Sequence, residues 1–254
     1  MATATVSIIM PVRNGEAYIA SALRSLLRET ALGLDIIVVD DGSTDGTAEG
    51  VRGIAAANPC GRRVSGPQSG VSGARNAGLA AVSKDVPYIS FLDCDDLSVP
   101  GRIARQLARL KARPDAGYVI GLIRFFEEAD EQNVTPLPGS RTVTVRGVQL
   151  AAALFDRRVF EQLGGFDVEM NHGEDTDFFL RLLEAQIPYI AEDEPAVLYR
   201  RHTGNMTNDV AQTRRGFVDA IRRSLVRRRA SGTNAELGDL FKARGNAEEA
   251  FRHG

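Results

Sequence analysis

Three closely spaced carboxylates, Asp93, Asp95 and Asp96, end the apolar run "YISFLDCDD". Ionised neighbours repel one another, so a fold that gathers them needs a positive charge in their midst. Hard divalent cations take oxygen ligands and commonly keep water or substrate phosphate in their shell. Asp93-Cys94-Asp95 therefore reads as a D-x-D sharing Mg²⁺ or Mn²⁺ with a diphosphate, with Cys94 a small packed side chain rather than a thiolate ligand. Polar groups also end two earlier apolar runs, Arg13-Asn14 after "SIIMPV" and Asp40-Asp41-Gly42-Ser43 after "IIVV". Glu174 and Asp175 open "GEDTDFFLRLLEAQ". Asp-Gly-Ser is ordinary turn chemistry and acids suit any helix start, so no one of these groups identifies a site. Their recurrence at successive strand ends is what points to one crevice.

The elements that must position them follow from periodicity. "TVSIIMPV" (5–12) and "LDIIVVDD" (34–41) are β-branched runs of strand length. Between them, Ile19, Leu23, Leu26 and Thr30 recur at helical spacing. A second helix is expected after Ser43 and Thr44, either of which can cap it, with Asp45 near its positive end. Residues 70–83 read as a helix, 86–93 as a strand, and 101–113 as a helix halted before Pro114. The βαβα order predicts a mainly parallel central sheet flanked by helices, with ligands at its carboxyl edge. Further on, 116–126 reads as a strand, 130–140 as an exposed loop and 173–186 as a helix with Phe178, Leu182 and Ala185 on one side. From about residue 208 the chain reads as helix.

Composition narrows the function. With 254 residues, 43% apolar and 25% charged, the chain can bury a real core in one large domain, and a net charge of −2 offers no general attraction to nucleic acid. Two cysteines, Cys60 and Cys94, make no disulfide framework, and with no secretory signal the expected location is cytoplasmic. No apolar run approaches the ~20 residues that span a bilayer, so membrane contact would be peripheral. The G-x-G-x-x-G of a dinucleotide fold is missing where the chain reads "PVRNGEAY", and no Walker A loop is present.

The blocks "VSIIMPVRNGEAYIASALRSLL", "IIVVDDGSTDGT", "GARNAGLAA", "YISFLDCDD", "LGGFD" and "EDTDFFLRL" occur in that order between about residues 5 and 205. Together they resemble glycosyltransferase family 2, inverting transferases of GT-A fold. The resemblance implies a nucleotide-diphosphate sugar donor, UDP-sugar favoured, a divalent metal (Mn²⁺ or Mg²⁺) and one catalytic carboxylate. It divides the chain into a GT-A domain over 1–205, with a donor half to about 100 and an acceptor half from about 101, and a helical C-terminal extension over 206–254. In the donor half it implies a role for Pro11, Arg13 and Asn14, Arg13 standing where many relatives carry an aromatic residue that stacks on the base. It makes Asp41 an acceptor for the nucleobase with Asp40 supporting the turn, lets Arg75 and Asn76 line the donor site, and sets Asp93 against the ribose or sugar. Asp95 becomes the direct metal ligand with Asp93 beside it, and His202 closes over metal and diphosphate. Asp175 becomes the general base, with Glu174 near the acceptor. That acceptor would be a glycan, a lipid-linked sugar or a small molecule, as in cell-wall or polysaccharide biosynthesis.

Non-processive transfer is expected, because the chain has no tryptophan and hence no Q-x-x-R-W. Two other readings compete. A sugar nucleotidyltransferase would need a G-x-G-T-R type loop that is missing, and a catalytically weak nucleotide-sugar-binding module would be expected to lack some of Asp93, Asp95, Asp175 and His202. Residues 214–229, "RRGFVDAIRRSLVRRR", alternate apolar and basic side chains and suit either a solvated packed helix or peripheral membrane contact.

Overall fold

The structure, a computed structural model, describes residues 4–29, 33–58, 61–130, 132 and 134–232. Thr30, Cys60 and residues 233–254 of the expected extension lie outside the described residues. The first half runs β1 (Val6–Val12), α1 (Ile19–Leu26), β2 (Leu34–Asp40), α2 (Thr47–Ala57), β3 (Gly61–Ser65), α3 (Gly70–Ala81) and β4 (Tyr88–Phe91). The second continues with β5 (Leu97–Ser98), α4 (Arg102–Ala112), β6 (Tyr118–Phe126), β7 (Ala129–Asp130), β8 (Thr135–Pro136), β9 (Thr142–Val145) and β10 (Ala153–Asp156). It ends with α5 (Arg158–Leu163), α6 (Glu174–Glu184), β11 (Tyr189–Arg200) and α7 (Val210–Ser231).

Among the described residues one sheet has the order β3-β2-β1-β4-β10-β6-β11-β5, with β9 also on β6. β1 and β2 are buried on both faces, which is why they read as unbroken β-branched runs. β3 is an edge strand carrying Arg62 and Arg63, charges that discourage pairing with another chain. The parallel order holds across β3, β2, β1 and β4 and again between β6 and β11. β10 enters between β4 and β6 antiparallel to both. The segment expected as an exposed loop, 130–140, includes β8 and the end of β7, which pair with Asp130 opposite Thr135.

The start of α2 differs from expectation. The helix begins at Thr47, after Gly46, and neither Ser43 nor Thr44 caps it. Both instead bond to the β1 loop: the Asn14 N–H donates to Ser43 Oγ (2.9 Å) and the Thr44 N–H to Asn14 Oδ1 (2.9 Å). Asp45 accepts from the Thr47 N–H at 3.1 Å and the Glu16 N–H at 3.1 Å, while Glu16 accepts from the Gly46 N–H at 2.9 Å. The loops after the first two strands are thus laced together. Asn14 adopts φ 54°, a left-handed conformation that asparagine tolerates better than most residues.

α3 lies close on the sheet because Gly78 has no side chain: a Cβ there would stand 2.3 Å from Ile9 Cγ2 and 3.2 Å from Val39 Cγ2. This close approach sets the height of Arg75, one turn earlier on the same helix. Gly78→Val should therefore destabilise the fold by about 1–3 kcal/mol through overpacking. A shift of the urea midpoint is the measurement, and an unshifted midpoint would mean that α3 can lift off the sheet freely.

Candidate active site

The carboxyl ends of β1, β2 and β4 and the start of α6 meet around Arg75. This arginine is 4% exposed; its Nη2 donates to Asp93 Oδ1 at 2.9 Å and its Nη1 to Glu174 Oε1. Burial opposes its charge, yet Asp93, Glu174 and Asp175 outweigh that cost and hold its pKa above the ordinary arginine value. Both acids are pushed up, first by burial: Asp95 and Asp175 raise Asp93 further and Asp175 raises Glu174, while Arg75 pulls each of them down. Phe166 lies beside the guanidinium, its ring centroid 5.8 Å from Arg75 Cζ.

The segment after β4 divides its three acids. Asp96 is buried and accepts from the Arg200 N–H (3.0 Å) and Gln149 Nε2 (3.2 Å), tying this turn to the end of β11. Burial, then Asp95 and Asp93, raise its pKa well above the carboxylate range. Arg200 Nε donates to the Asp95 carbonyl (3.0 Å), and its guanidinium lies over the rings of Tyr18 and Phe126, 5.1 and 5.0 Å from their centroids. Asp95 Oδ2 meets His202 Nε2 at 3.0 Å and Asn205 Nδ2 at 3.4 Å. The Gly204 N–H donates to His202 Nδ1 (3.1 Å), so the ring proton is on Nε2 and points at Asp95. Tyr18 stacks obliquely on His202, ring centroids 4.6 Å apart. Cys94 is packed against the core, and burial, followed by its three acidic neighbours, raises its thiol pKa well above the usual value.

On the β2 side, Asp40 accepts from the Ser43 N–H (2.8 Å) and from Arg63 Nη2 (2.7 Å). Its pKa is lowered: burial pushes it up, and the Ser43 bonds and Arg63 overcome that. Asp41 is buried; Oδ1 accepts from the Gln68 N–H (2.7 Å) and Oδ2 from the Gly70 N–H (3.0 Å), so it holds the turn into α3. Pro11 is buried within β1, and Arg13 and Asn14 are exposed just beyond its end. Asn76, expected to line the donor site, is engaged with the backbone before α6. Its Nδ2 donates to the Phe166 carbonyl (2.8 Å) and its Oδ1 accepts from the Phe166 N–H (2.8 Å), so both ends of the amide hold the Gly-Gly-Phe loop.

Glu174 and Asp175 begin α6 behind Gly173, at φ 79°. Asp175 Oδ1 accepts from the Thr176 N–H at 2.6 Å. α7 fixes this helix start by a backbone approach that admits no side chain. A Cβ on Gly173 would lie 2.6 Å from the Gly216 carbonyl oxygen, and one on Gly216 would lie 2.4 Å from that of His172. Further along, Arg227 of α7 bridges Asp177 (2.8 Å) and Glu184 (2.7 Å) of α6. Of the positioning residues, Asp96 is visible in the sequence as the third aspartate after β4, though not its hold on Arg200 and Gln149, while Gln149, Arg200, Asn205 and Gly216 carry no local signal.

Among the described residues no three His, Cys, Asp or Glu side chains form a ready-made metal cage. The donor set nevertheless suits Mg²⁺ or Mn²⁺, which typically take one or two carboxylates and complete their shell with water and substrate phosphate. Asp95 Oδ2 would hold such an ion, and His202, whose Nε2 lies 3.0 Å away, would join it in the tautomer that frees Nε2.

Comparison with known proteins bears on the family and the fold. The family model described as Glycosyl transferase family 2 matches residues 7–164, and a second, Glycosyltransferase like family 2, matches 147–249. An uncharacterized glycosyltransferase, EpsJ of Bacillus subtilis, is 28% identical over 219 residues, which take in 80% of this chain and 62% of EpsJ. The mannosyltransferase PcManGT of Pyrobaculum calidifontis, solved with GDP-Man and Mn²⁺, superposes with a TM-score of 0.70 at 19% identity over 93% of this chain and 67% of that one. S. aureus TarS 1-349 with UDP-GlcNAc gives 0.69 at 18% identity over 92% of this chain and 68% of that one. At such identities the likeness speaks for the fold, which is GT-A.

Removing one partner from a buried ion pair strands the other charge. Arg75→Met should lower stability at neutral pH by about 3–5 kcal/mol, and adding Glu174→Gln should recover part of the loss. Chemical denaturation of the four-member cycle measures this; a single variant as stable as the parent would mean that both acids are already neutral in the fold.

Proposed function

The chain belongs to glycosyl transferase family 2, and from that premise we propose that it moves a sugar from a nucleotide diphosphate to an acceptor hydroxyl, with inversion and without processivity. The observation that carries the reading is the Asp93–Arg75–Glu174 bridge. It joins the strand end that would hold the donor to the helix start that would hold the base. The transfer machinery would lie in residues 1–205, with 206–254 as an extension.

In this reading the donor lies along the carboxyl ends of β1, β2 and β4. Asp41 retains lone pairs beyond the two bonds it accepts and can take a hydrogen bond from the base. Arg13, exposed beside it, can stack its planar guanidinium on the base. Asp93 faces the ribose or sugar. Asp95 and His202 would hold Mn²⁺ or Mg²⁺ against the diphosphate, where the ion neutralises charge on the departing group. Asp175 accepts the proton of the acceptor hydroxyl as that oxygen attacks the anomeric carbon from the face opposite the leaving group. The leaving diphosphate needs no proton, so one base suffices. Two solved relatives hold GDP-Man and UDP-GlcNAc, and a UDP-sugar is the donor we favour for this chain. The acceptor would be a glycan, a lipid-linked sugar or a small molecule of cell-wall or polysaccharide synthesis.

Two substitutions test the roles separately. Asp95→Asn should abolish Mn²⁺-dependent nucleotide binding in calorimetry while leaving the fold intact; undiminished binding would remove Asp95 from the metal site. Asp175→Asn keeps the shape but cannot accept a proton, so donor affinity should persist while transfer falls by at least about 10²-fold. A near wild-type rate would reduce Asp175 to a helix-start acid.

A further inference from the structure

α7 has two unlike faces. One is fixed to the rest of the molecule: Ala220 packs with Met170 and Leu180, Arg227 bridges Asp177 and Glu184, and Arg223 pairs with Asp167. The other is open and apolar, with Phe217 46%, Val218 64%, Leu225 45% and Val226 62% exposed. Of the seven exposed large apolar side chains among the described residues, these four share one helix. Monomeric surfaces seldom group such residues without a partner.

The charge around them narrows the partner. The whole chain carries −2, yet the 22 residues of α7 include seven arginines and a single acid, Asp219. That acid is neutralised by Arg222 at 2.9 Å and Arg223 at 2.8 Å. Arg214, Arg215, Arg222 and Arg229 are exposed and alternate with the apolar side chains. A shallow groove of about 410 Å³, lined by Arg214, Arg215, Val218, Asp219 and Arg222, places guanidiniums around an apolar wall. A second copy of the chain packed here by two-fold symmetry would set arginine against arginine. An anionic lipid surface meets both demands, phosphates for the guanidiniums and acyl carbons for Val218 and Leu225.

We propose that the outer face of α7 docks the protein on an anionic bilayer surface, the helix lying in the interface plane. Among the described residues no helix is long and apolar enough to cross a membrane, and none is needed for this contact. Because the inner face of the same helix fixes the start of α6, docking would hold Glu174 and Asp175 at a set height above the lipid. The proposal goes beyond glycosyl transfer and does not rest on it, since the test reads binding alone.

The full chain is sedimented with phosphatidylcholine vesicles and with vesicles that also contain phosphatidylglycerol. It should pellet only with the second, and less as salt rises. Arg214→Gln/Arg215→Gln should weaken partitioning roughly 25-fold, about fivefold for each arginine. Val218→Glu/Leu225→Glu should release the protein while its thermal midpoint and nucleotide binding stay unchanged. Wild-type protein that stays in the supernatant, or binding that neither double variant weakens, overturns the proposal. Dimerisation in solution that Val218→Glu/Leu225→Glu abolishes, without vesicle binding, assigns the face to a second copy instead.

Discussion

A guanidinium sealed from water between two carboxylates can neither leave nor give up its proton, and Arg75 is held in this way. Its position is set on one side by α3, drawn close to β1 and β2 at Gly78. On the other side its Nη atoms fix Asp93 after β4 and Glu174 at the start of α6. Fixing one cation thus sets two groups that lie far apart in sequence. Burial works against every charge in this group, and mutual attraction is what keeps the cluster together. The surrounding contacts serve the same end: Asn76 holds the Phe166 loop, Ser72 Oγ donates to the Met170 carbonyl at 2.8 Å, and Asp41 secures the turn into α3.

The parts of the fold that were legible in the sequence are those with a single local cause. β1 and β2 are apolar on both faces, and α3, α4 and α6 carry the expected periods, so their places follow from pattern. β11 was missed because "YIAEDEPAVLYR" contains acids and a proline, signals that argue against a central strand. The structure shows why it is tolerated. Glu192 is buried but meets Arg109 Nε at 2.6 Å, and the register with β6 slips on both sides of Pro195. β3 was missed because Arg62 and Arg63 look like loop residues, although on an edge strand they pair with Asp35 and Asp40. β10 is four residues long and follows a short 3₁₀ turn, too little for any period to show.

The candidate site was legible as types and order, and not as partnerships. Three aspartates after β4 announce a charge problem, but only the fold reveals that Asp93 faces Arg75, Asp95 faces His202 and Asp96 turns inward to Arg200 and Gln149. Each partner comes from a different element, separated from the aspartates by between 18 residues for Arg75 and 107 for His202. Such pairings depend on topology rather than on local pattern. The same holds for Gly216, a helical glycine whose purpose is visible only where the Gly173 backbone comes against it.

The antiparallel insertion of β10 has a consequence for how this chain leaves the ribosome. β3, β2, β1 and β4 are all made within the first 91 residues and can pair as they emerge. The outer edge of β4, however, must wait for Ala153–Asp156. At about 5–20 residues per second the intervening stretch of roughly sixty residues takes about 3–12 seconds to synthesise. Throughout that interval the nascent protein presents a bare row of amide and carbonyl groups beside Phe91, a template for a neighbouring chain on the same message. The brevity of β4, four residues from Tyr88 to Phe91, limits that hazard by leaving little edge to be captured.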